Sequence, residues 1–138
     1  MTPARKNLWC NMTTRTLNLT RPIVCFDLET TGLETKTDRI VEISCVKIHT
    51  DMSRELLTLR INPQMPIPEA ASAVHGISNA DVAGEPTFDM VAGRLADFLS
   101  GCDLTGFNLE RFDLPLLRNE FMRARITFPD GPVSIIDA

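Results

Sequence analysis

Asp27 and Glu29 are the two residues of this chain whose types and spacing most directly suggest chemistry. They stand two positions apart in Phe26-Asp27-Leu28-Glu29-Thr30-Thr31-Gly32, just after the apolar run Ile23-Val24-Cys25-Phe26. The β-branched content of that run predicts a buried strand. On a strand, residues two apart share a face, so both carboxylates point the same way. Two acids side by side on a buried strand repel each other and cost desolvation energy. A hard divalent cation with oxygen ligands, such as Mg²⁺, relieves both penalties. Thr30-Thr31-Gly32 then predicts a turn, which leaves the acids at the carboxyl end of the strand, on the rim of a sheet. A surface strand with alternating acids fits less well, because Phe26 and Leu28 on the other face are also apolar.

A second informative stretch is Gly106-Phe107-Asn108-Leu109-Glu110-Arg111-Phe112-Asp113-Leu114-Pro115-Leu116-Leu117. Asn108 is a natural helix N-cap, and Asp113 falls near the start of a helical pattern that runs to Arg125. Taken alone, Asp113 reads as an acid favoured by the helix dipole.

Together, FDLETTG and GFNLERFDLPLL resemble the first and second motifs of the DEDD superfamily of 3′→5′ exonucleases. The resemblance is strongest to the branch that contains the proofreading subunit of bacterial replicative DNA polymerases. Between the motifs, Asp38 to Ser44 resembles the second strand, and Ile61-Asn62-Pro63 with Ile67-Pro68 the third strand and its exit. Ala73-Val74-His75-Gly76-Ile77 resembles the family's His-Gly-Ile substrate loop. The likeness extends over residues 22–138.

The resemblance implies phosphodiester hydrolysis at the 3′ end of single-stranded DNA, in replication proofreading or repair. RNA is an alternative substrate. It also implies a cofactor of two Mg²⁺ or Mn²⁺ ions roughly 3.5–4 Å apart, which activate water and stabilise the leaving oxygen. By resemblance, Asp27 bridges both ions, Glu29 holds the ion on the nucleophile side, and Asp113 holds the second. Main-chain groups near Thr30 and Thr31 contact the terminal nucleotide, and His75 approaches the same end of the substrate. On the residues alone, His75 also suits a plain turn histidine beside Gly76.

The family's third motif supplies the last Asp, with a His or Tyr general base five positions before it. That motif is not found here. Asp137 has Pro132 five positions before it and ends a predicted strand, where the family's Asp lies on a helix. The chain therefore reads as an exonuclease domain incomplete at its carboxyl end. The isolated polypeptide is expected to be a poor exonuclease, since loss of a general base costs about 10²–10⁴ in rate. A non-catalytic module that grips a nucleic-acid end or a DNA polymerase subunit stays open as the second reading.

The elements that must position these residues follow from periodicity and punctuation. Residues 22–29, 39–49 and 54–62 predict three successive antiparallel strands, with a hairpin loop at His49 to Ser53. Pro63, Pro66 and Pro68 then break regular structure. Glu69 to Val74 predicts a short helix, and Ser78 precedes another. Thr87 is the expected N-cap of a longer helix with Phe88, Val91, Ala92, Leu95, Phe98 and Leu99 on one face, and Gly101 sits at C′. Leu104 to Phe107 predicts a strand parallel to the first, Pro115 lies in the first turn of the next helix or kinks it, and Val133 to Ile136 predicts a fifth strand. The pattern is α/β: a mixed sheet, antiparallel then parallel, with flanking helices. It is consistent with the ribonuclease H-like fold that the resemblance implies.

Bulk properties agree with one domain: 138 residues, 43% of them hydrophobic, are enough for a real core. Residues 1–20 read as a loose extension and 21–138 as the domain. No apolar run approaches transmembrane length, and the first twenty residues lack an apolar signal region, so a cytoplasmic protein without membrane contact is expected. Cys10, Cys25, Cys45 and Cys102 form no CxxC pair, which argues against zinc. Cys25 and Cys45 read as buried small hydrophobes. The net charge of −4 runs against tight phosphate binding, although bound cations invert the charge of an acidic pocket. Arg111, Arg118, Arg123 and Arg125 could offer a phosphate-facing edge, or a solvated helix face.

Overall fold

A computed structural model of the chain describes residues 19–129 and 135–137. Residues 1–18 of the expected extension, Cys10 among them, lie outside the described residues, as do Pro132 and Val133. Five strands form one sheet: β1 (Ile23–Thr30), β2 (Ile40–Ile48), β3 (Arg54–Arg60), β4 (Asp103–Gly106) and β5 (Ile135–Asp137). Their spatial order is β3-β2-β1-β4-β5. β1 pairs antiparallel with β2 and parallel with β4, and β5 extends the parallel half. The mixed sheet is thus as expected. The third strand is shorter than residues 54–62: Ile61 donates to the Val41 carbonyl and Asn62 makes only an isolated bridge to Thr87. Pro63 has no N–H to continue the ladder.

The helices are α1 (Glu69–His75), α2 (Asn79–Val82), α3 (Phe88–Leu99) and α4 (Leu114–Ala124). The hydrophobic face of α3 is the predicted one, with Phe88, Val91, Ala92, Leu95, Phe98 and Leu99 all buried. It packs with Leu116, Leu117 and Phe121 of α4 against Val24, Phe26 and Leu28 of β1. Alternation therefore turns Asp27 and Glu29 to the opposite face of the sheet.

Thr87 and Asn108 occupy the expected N-cap positions, but neither caps through its side chain. Thr87 stands at the head of α3, but its hydroxyl donates to the Asp89 carboxylate rather than accepting a backbone N–H. Asn108 does not cap through its side chain either. It adopts the left-handed conformation with φ 53°, which Asn tolerates better than most residues. A single π-helical turn, Leu109–Asp113, follows it and leads into α4. The cause is Pro115 in the first turn of α4. It has no N–H and crowds the carbonyl four residues back. The turn ahead of it widens instead, and Leu114 N–H reaches the Leu109 carbonyl.

A bulge in β2 shapes the site end of the sheet. Glu29 pairs with Glu42, but Thr30 pairs with Ile40, leaving Val41 as the extra residue. Ile40 stays in the main core, while Val41 packs with Ile67, Ile77 and Val82 on the far side. This second, smaller core anchors α1 and α2 beside the end of β1.

Gly106 fixes how closely β4 approaches β1. A Cβ there would lie 2.7 Å from the Phe26 carbonyl oxygen and 3.2 Å from Leu109 Cδ1. Gly106→Ala is expected to destabilise the fold by about 1–3 kcal/mol, as overpacking does. Gly93→Ala, at an exposed position of α3 where an added Cβ meets nothing within 4 Å, should stabilise by roughly 0.5–1 kcal/mol. Denaturant midpoints of the two variants check the opposite signs.

Candidate active site at the end of the central strand

Asp27 is 2% exposed and Asp113 1%, although both are acids. Glu29 is half-buried. Asp27 and Glu29 share the face of β1 away from the main core, as expected. Glu29 lies across from Glu42, and like charges directly opposite each other are unfavourable. Arg60, the β3 neighbour of Glu42, offsets this by a forked contact to Glu42 Oε2 at 2.9 and 3.1 Å. Asp113 closes the π turn at the head of α4. That turn starts three residues past Gly106, where β4 presses against Phe26, the residue before Asp27.

Two adjoining hollows mark the place. One, of about 610 Å³, is lined by Glu29, Thr30, Thr31, Asp38 and His75. The other, of about 580 Å³, is lined by Asn108, Arg111 and Asp113. Leu33 and Phe112 line both and form the wall between them. Leu33 is 86% exposed, an apolar tip on the β1–β2 loop. The sequence-predicted Glu29, Thr30, Thr31 and His75 thus line one cleft, and Asp113 lines its neighbour. Among the described residues, no group of three or more His, Cys, Asp or Glu side chains converges as a ready-made metal cluster. The donor set itself suits Mg²⁺ or Mn²⁺, since all three candidates are carboxylates and none is a thiol or imidazole.

His75 is held at both ring nitrogens. Ile77 N–H donates to Nδ1 at 3.1 Å, so Nδ1 carries no proton. Nε2 lies 3.1 Å from the Thr30 carbonyl oxygen, which can only accept, so Nε2 carries the proton. The ring ties α1 to the last residue of β1. Burial holds its pKa below the usual 6.5, against the upward pull of the Thr30 contact. The unfolded chain therefore takes up a proton first as pH falls. Stability from this ring is complete above pH 6.5 and is lost between 6.5 and the lower folded midpoint. An NMR titration should place the His75 midpoint below 6.5; a midpoint above it would contradict the two-bond geometry.

Of the four late arginines, only Arg111 lines the candidate cleft. Arg123 contacts Glu120 and the Lys36 carbonyl, Arg118 lies over the Phe128 ring, and Arg125 ends α4 in the left-handed conformation. The phosphate-facing edge therefore reduces to one residue on this side. Cys25 and Cys45 are buried as expected, with thiol pKa values pushed up by burial to about 11 and about 12.

Sequence reasoning missed Asp38 and Glu120. Thr31 Oγ1 donates to Asp38 Oδ1 at 2.7 Å, and Glu34 N–H donates to Asp38 Oδ2 at 2.8 Å. Glu120 is 1% exposed and receives Arg39 Nε at 2.8 Å and Ile40 N–H at 2.9 Å. Glu120 had a signal: it lies in the apolar stripe of its helix, three and four residues after Leu117 and Leu116. Asp38 had none beyond its place in a loop.

Comparison with known proteins agrees with this architecture. The Exonuclease family (RNase_T) matches residues 24–137. The chain is 41% identical over 113 residues to the DNA polymerase III subunit epsilon-like protein of Rhodobacter capsulatus, covering 80% of this chain and 16% of that protein. It is 34% identical over 111 residues to the 3′-5′ exonuclease DinG of Bacillus subtilis, covering 80% of this chain and 12% of the relative. The chain thus spans only a small part of the length of these relatives. A solved structure of E. coli exonuclease I in complex with a dT13 oligonucleotide superposes with a TM-score of 0.76 at 19% identity, over 86% of this chain and 28% of that one. At that identity the likeness is one of fold, and the fold is the expected ribonuclease H-like one.

Proposed function

The chain belongs to the Exonuclease family, and from that premise we propose that its site removes nucleotides from the 3′ end of single-stranded DNA. The observation that carries the reading is that Asp27 and Glu29 share the face of β1 away from the main core, at its carboxyl end, with buried Asp113 at the head of α4. These three carboxylates would hold Mg²⁺ or Mn²⁺, and the bound ions would supply the activated water and the stabilisation of the leaving oxygen. Asp27 and Glu29 would contribute from β1 and Asp113 from the head of α4.

The protein's own groups do the rest. The cleft beside Glu29 receives the terminal nucleotide, with Thr30 and Thr31 at its rim. His75 holds the Thr30 carbonyl from behind. With one ring nitrogen donating and the other accepting, it serves to orient the end of β1, not to take a proton from water. A 3′-phosphate would bring two further negative charges towards Glu29, so a free 3′-hydroxyl is the preferred end. Replication proofreading or repair follows as the setting, with a DNA polymerase subunit as partner. The relatives named for DNA polymerase III support that assignment. No helix among the described residues is long and apolar enough to cross a membrane, and the cytoplasm is the proposed location.

One observation favours a second reading. The described residues contain no assembled metal cluster, which suits a module that binds 3′ ends without cutting them. A 5′-labelled single-stranded DNA, with an RNA of the same sequence alongside, separates the two. At protein excess with Mn²⁺, the enzyme reading expects shortening from the 3′ end, blocked by a 3′-phosphate and abolished in Asp27→Asn. Binding of 3′ ends without shortening supports the module. Cleavage that Asp27→Asn leaves unchanged would reject the proposed site.

A further inference from the structure

We infer that α4 sets the spacing between the two halves of the site by clamping the β1–β2 loop, with Asn119, Glu120 and Arg123 as positioning residues; the inference rests on the 3′-end reading above. Three side chains on one side of this helix make four hydrogen bonds to the loop or the strand behind it. Asn119 Nδ2 donates to the Thr35 carbonyl at 2.8 Å, and Arg123 donates to the Lys36 carbonyl at 2.5 Å. Glu120 accepts from Arg39 Nε at 2.8 Å and from the Ile40 N–H at 2.9 Å. Arg123 also reaches Glu120 Oε1 at 3.4 Å.

The loop passes this restraint inward. Arg39 N–H donates to Thr31 Oγ1 at 3.0 Å, and Thr31 N–H donates to the Arg39 carbonyl at 2.9 Å. Asp38 joins Thr31 Oγ1 to the Glu34 N–H and packs under Gly32, where a Cβ would lie 2.5 Å from its Oδ2. A continuous path of hydrogen bonds therefore runs from Glu120 to Thr31 at the rim of the cleft. At its other end the same helix begins at Asp113. Seven residues, two helical turns, separate the acid of one half from the clamp on the other.

The chemistry of Glu120 points the same way. A buried carboxylate contributes little net stability compared with an apolar side chain of its size, because desolvation offsets the ion pair. What an apolar side chain could not do is hold a guanidinium and a main-chain N–H at fixed distances. The clamp fixes the loop before substrate arrives, so less order is lost when a 3′ end binds.

The test uses the full chain and the double variant Asn119→Ala/Arg123→Ala, which spares the buried Glu120 and should fold. Amide exchange is read at Thr31 and Arg39. Affinity is read in Ca²⁺ for a single-stranded oligonucleotide ending in a 3′-hydroxyl and for its 3′-phosphate counterpart. Mn²⁺ affinity is read separately. Exchange at the two amides should quicken roughly tenfold to a hundredfold, the equivalent of one lost charge-assisted hydrogen bond. Preference for the 3′-hydroxyl should fall about as far, while Mn²⁺ affinity stays within about twofold, because Asp27, Glu29 and Asp113 are themselves unchanged. A merely structural role would leave that preference intact. If wild type prefers the 3′-hydroxyl and the double variant does so equally, the inference is wrong and the site reading stands. If wild type binds no 3′ end, the site reading fails and takes the inference with it.

Discussion

Saturating Mn²⁺ is expected to raise the melting temperature of the wild-type chain by roughly 9 °C, and Asp27→Asn to erase that rise. A ligand that binds only the folded state stabilises it by mass action, by about 2.7 kcal/mol at a hundred times its dissociation constant. With an unfolding entropy near 2.1 cal/mol/K per residue, that energy becomes about 9 °C for a chain of this length. The size of the effect rests on burial. Asp27 at 2% exposure and Asp113 at 1% are carboxylates held away from water, and a divalent ion neutralises them where water does not. Glu29 is half-buried and faces Glu42, whose charge Arg60 already offsets, so Glu29→Gln should reduce the rise only in part. Thermal unfolding monitored by circular dichroism, with and without Mn²⁺, reads all three proteins. A wild-type melting temperature indifferent to Mn²⁺ would leave the acidic pair without its explanation.

Glu120→Ala is expected to cost about 3–5 kcal/mol of stability, the usual loss when one partner of a buried ion pair is removed. The variant leaves Arg39, whose side chain is 20% exposed, without its carboxylate, and strands the buried Ile40 N–H at the start of β2. It also opens a gap beside Leu116, Leu117 and Phe121 in the stripe that α4 packs against the sheet. Glu120→Leu should recover part of the packing loss but none of the loop restraint. Its stability should therefore lie between those of wild type and Glu120→Ala. Urea denaturation gives the two values; equal midpoints for Glu120→Ala and wild type would mean that the Arg39–Glu120 contact does not persist in solution.

The sheet and the helix faces were legible in the sequence because they follow from burial alone. Ile23 to Phe26 had to be a buried strand, and the spacing of Phe88, Val91, Leu95 and Leu99 had to be a helix face, whatever surrounded them. The Asp27–Glu29 pair was legible for the same reason, since alternation on a strand needs no tertiary knowledge. The π turn before Asp113 was not legible. It arises from Pro115 acting on the turn ahead of it, and a Pro in a helical first turn ordinarily signals a regular start. Thr87 and Asn108 stand at the N-cap positions expected for them, but neither side chain makes the capping bond that its type favours. The clamp on the loop was hidden because Asp38 and Glu120 are far apart in sequence, and their roles depend on the fold that brings α4 beside the β1–β2 loop. His75 lay between these cases. Its place at the cleft followed from the motif, but its role in holding Thr30 depended on a tautomer that only the two ring contacts define.

The central claim is that Asp27, Glu29 and Asp113 form one cation site. Anomalous scattering from a crystal soaked in Mn²⁺ tests it most directly. The expected result is a Mn²⁺ peak within coordination distance of oxygens from Asp27 and from at least one of Glu29 and Asp113, lost in crystals of Asp27→Asn. Mn²⁺ bound elsewhere on the surface, with the Asp27 carboxylate uncoordinated at saturating metal, would contradict it.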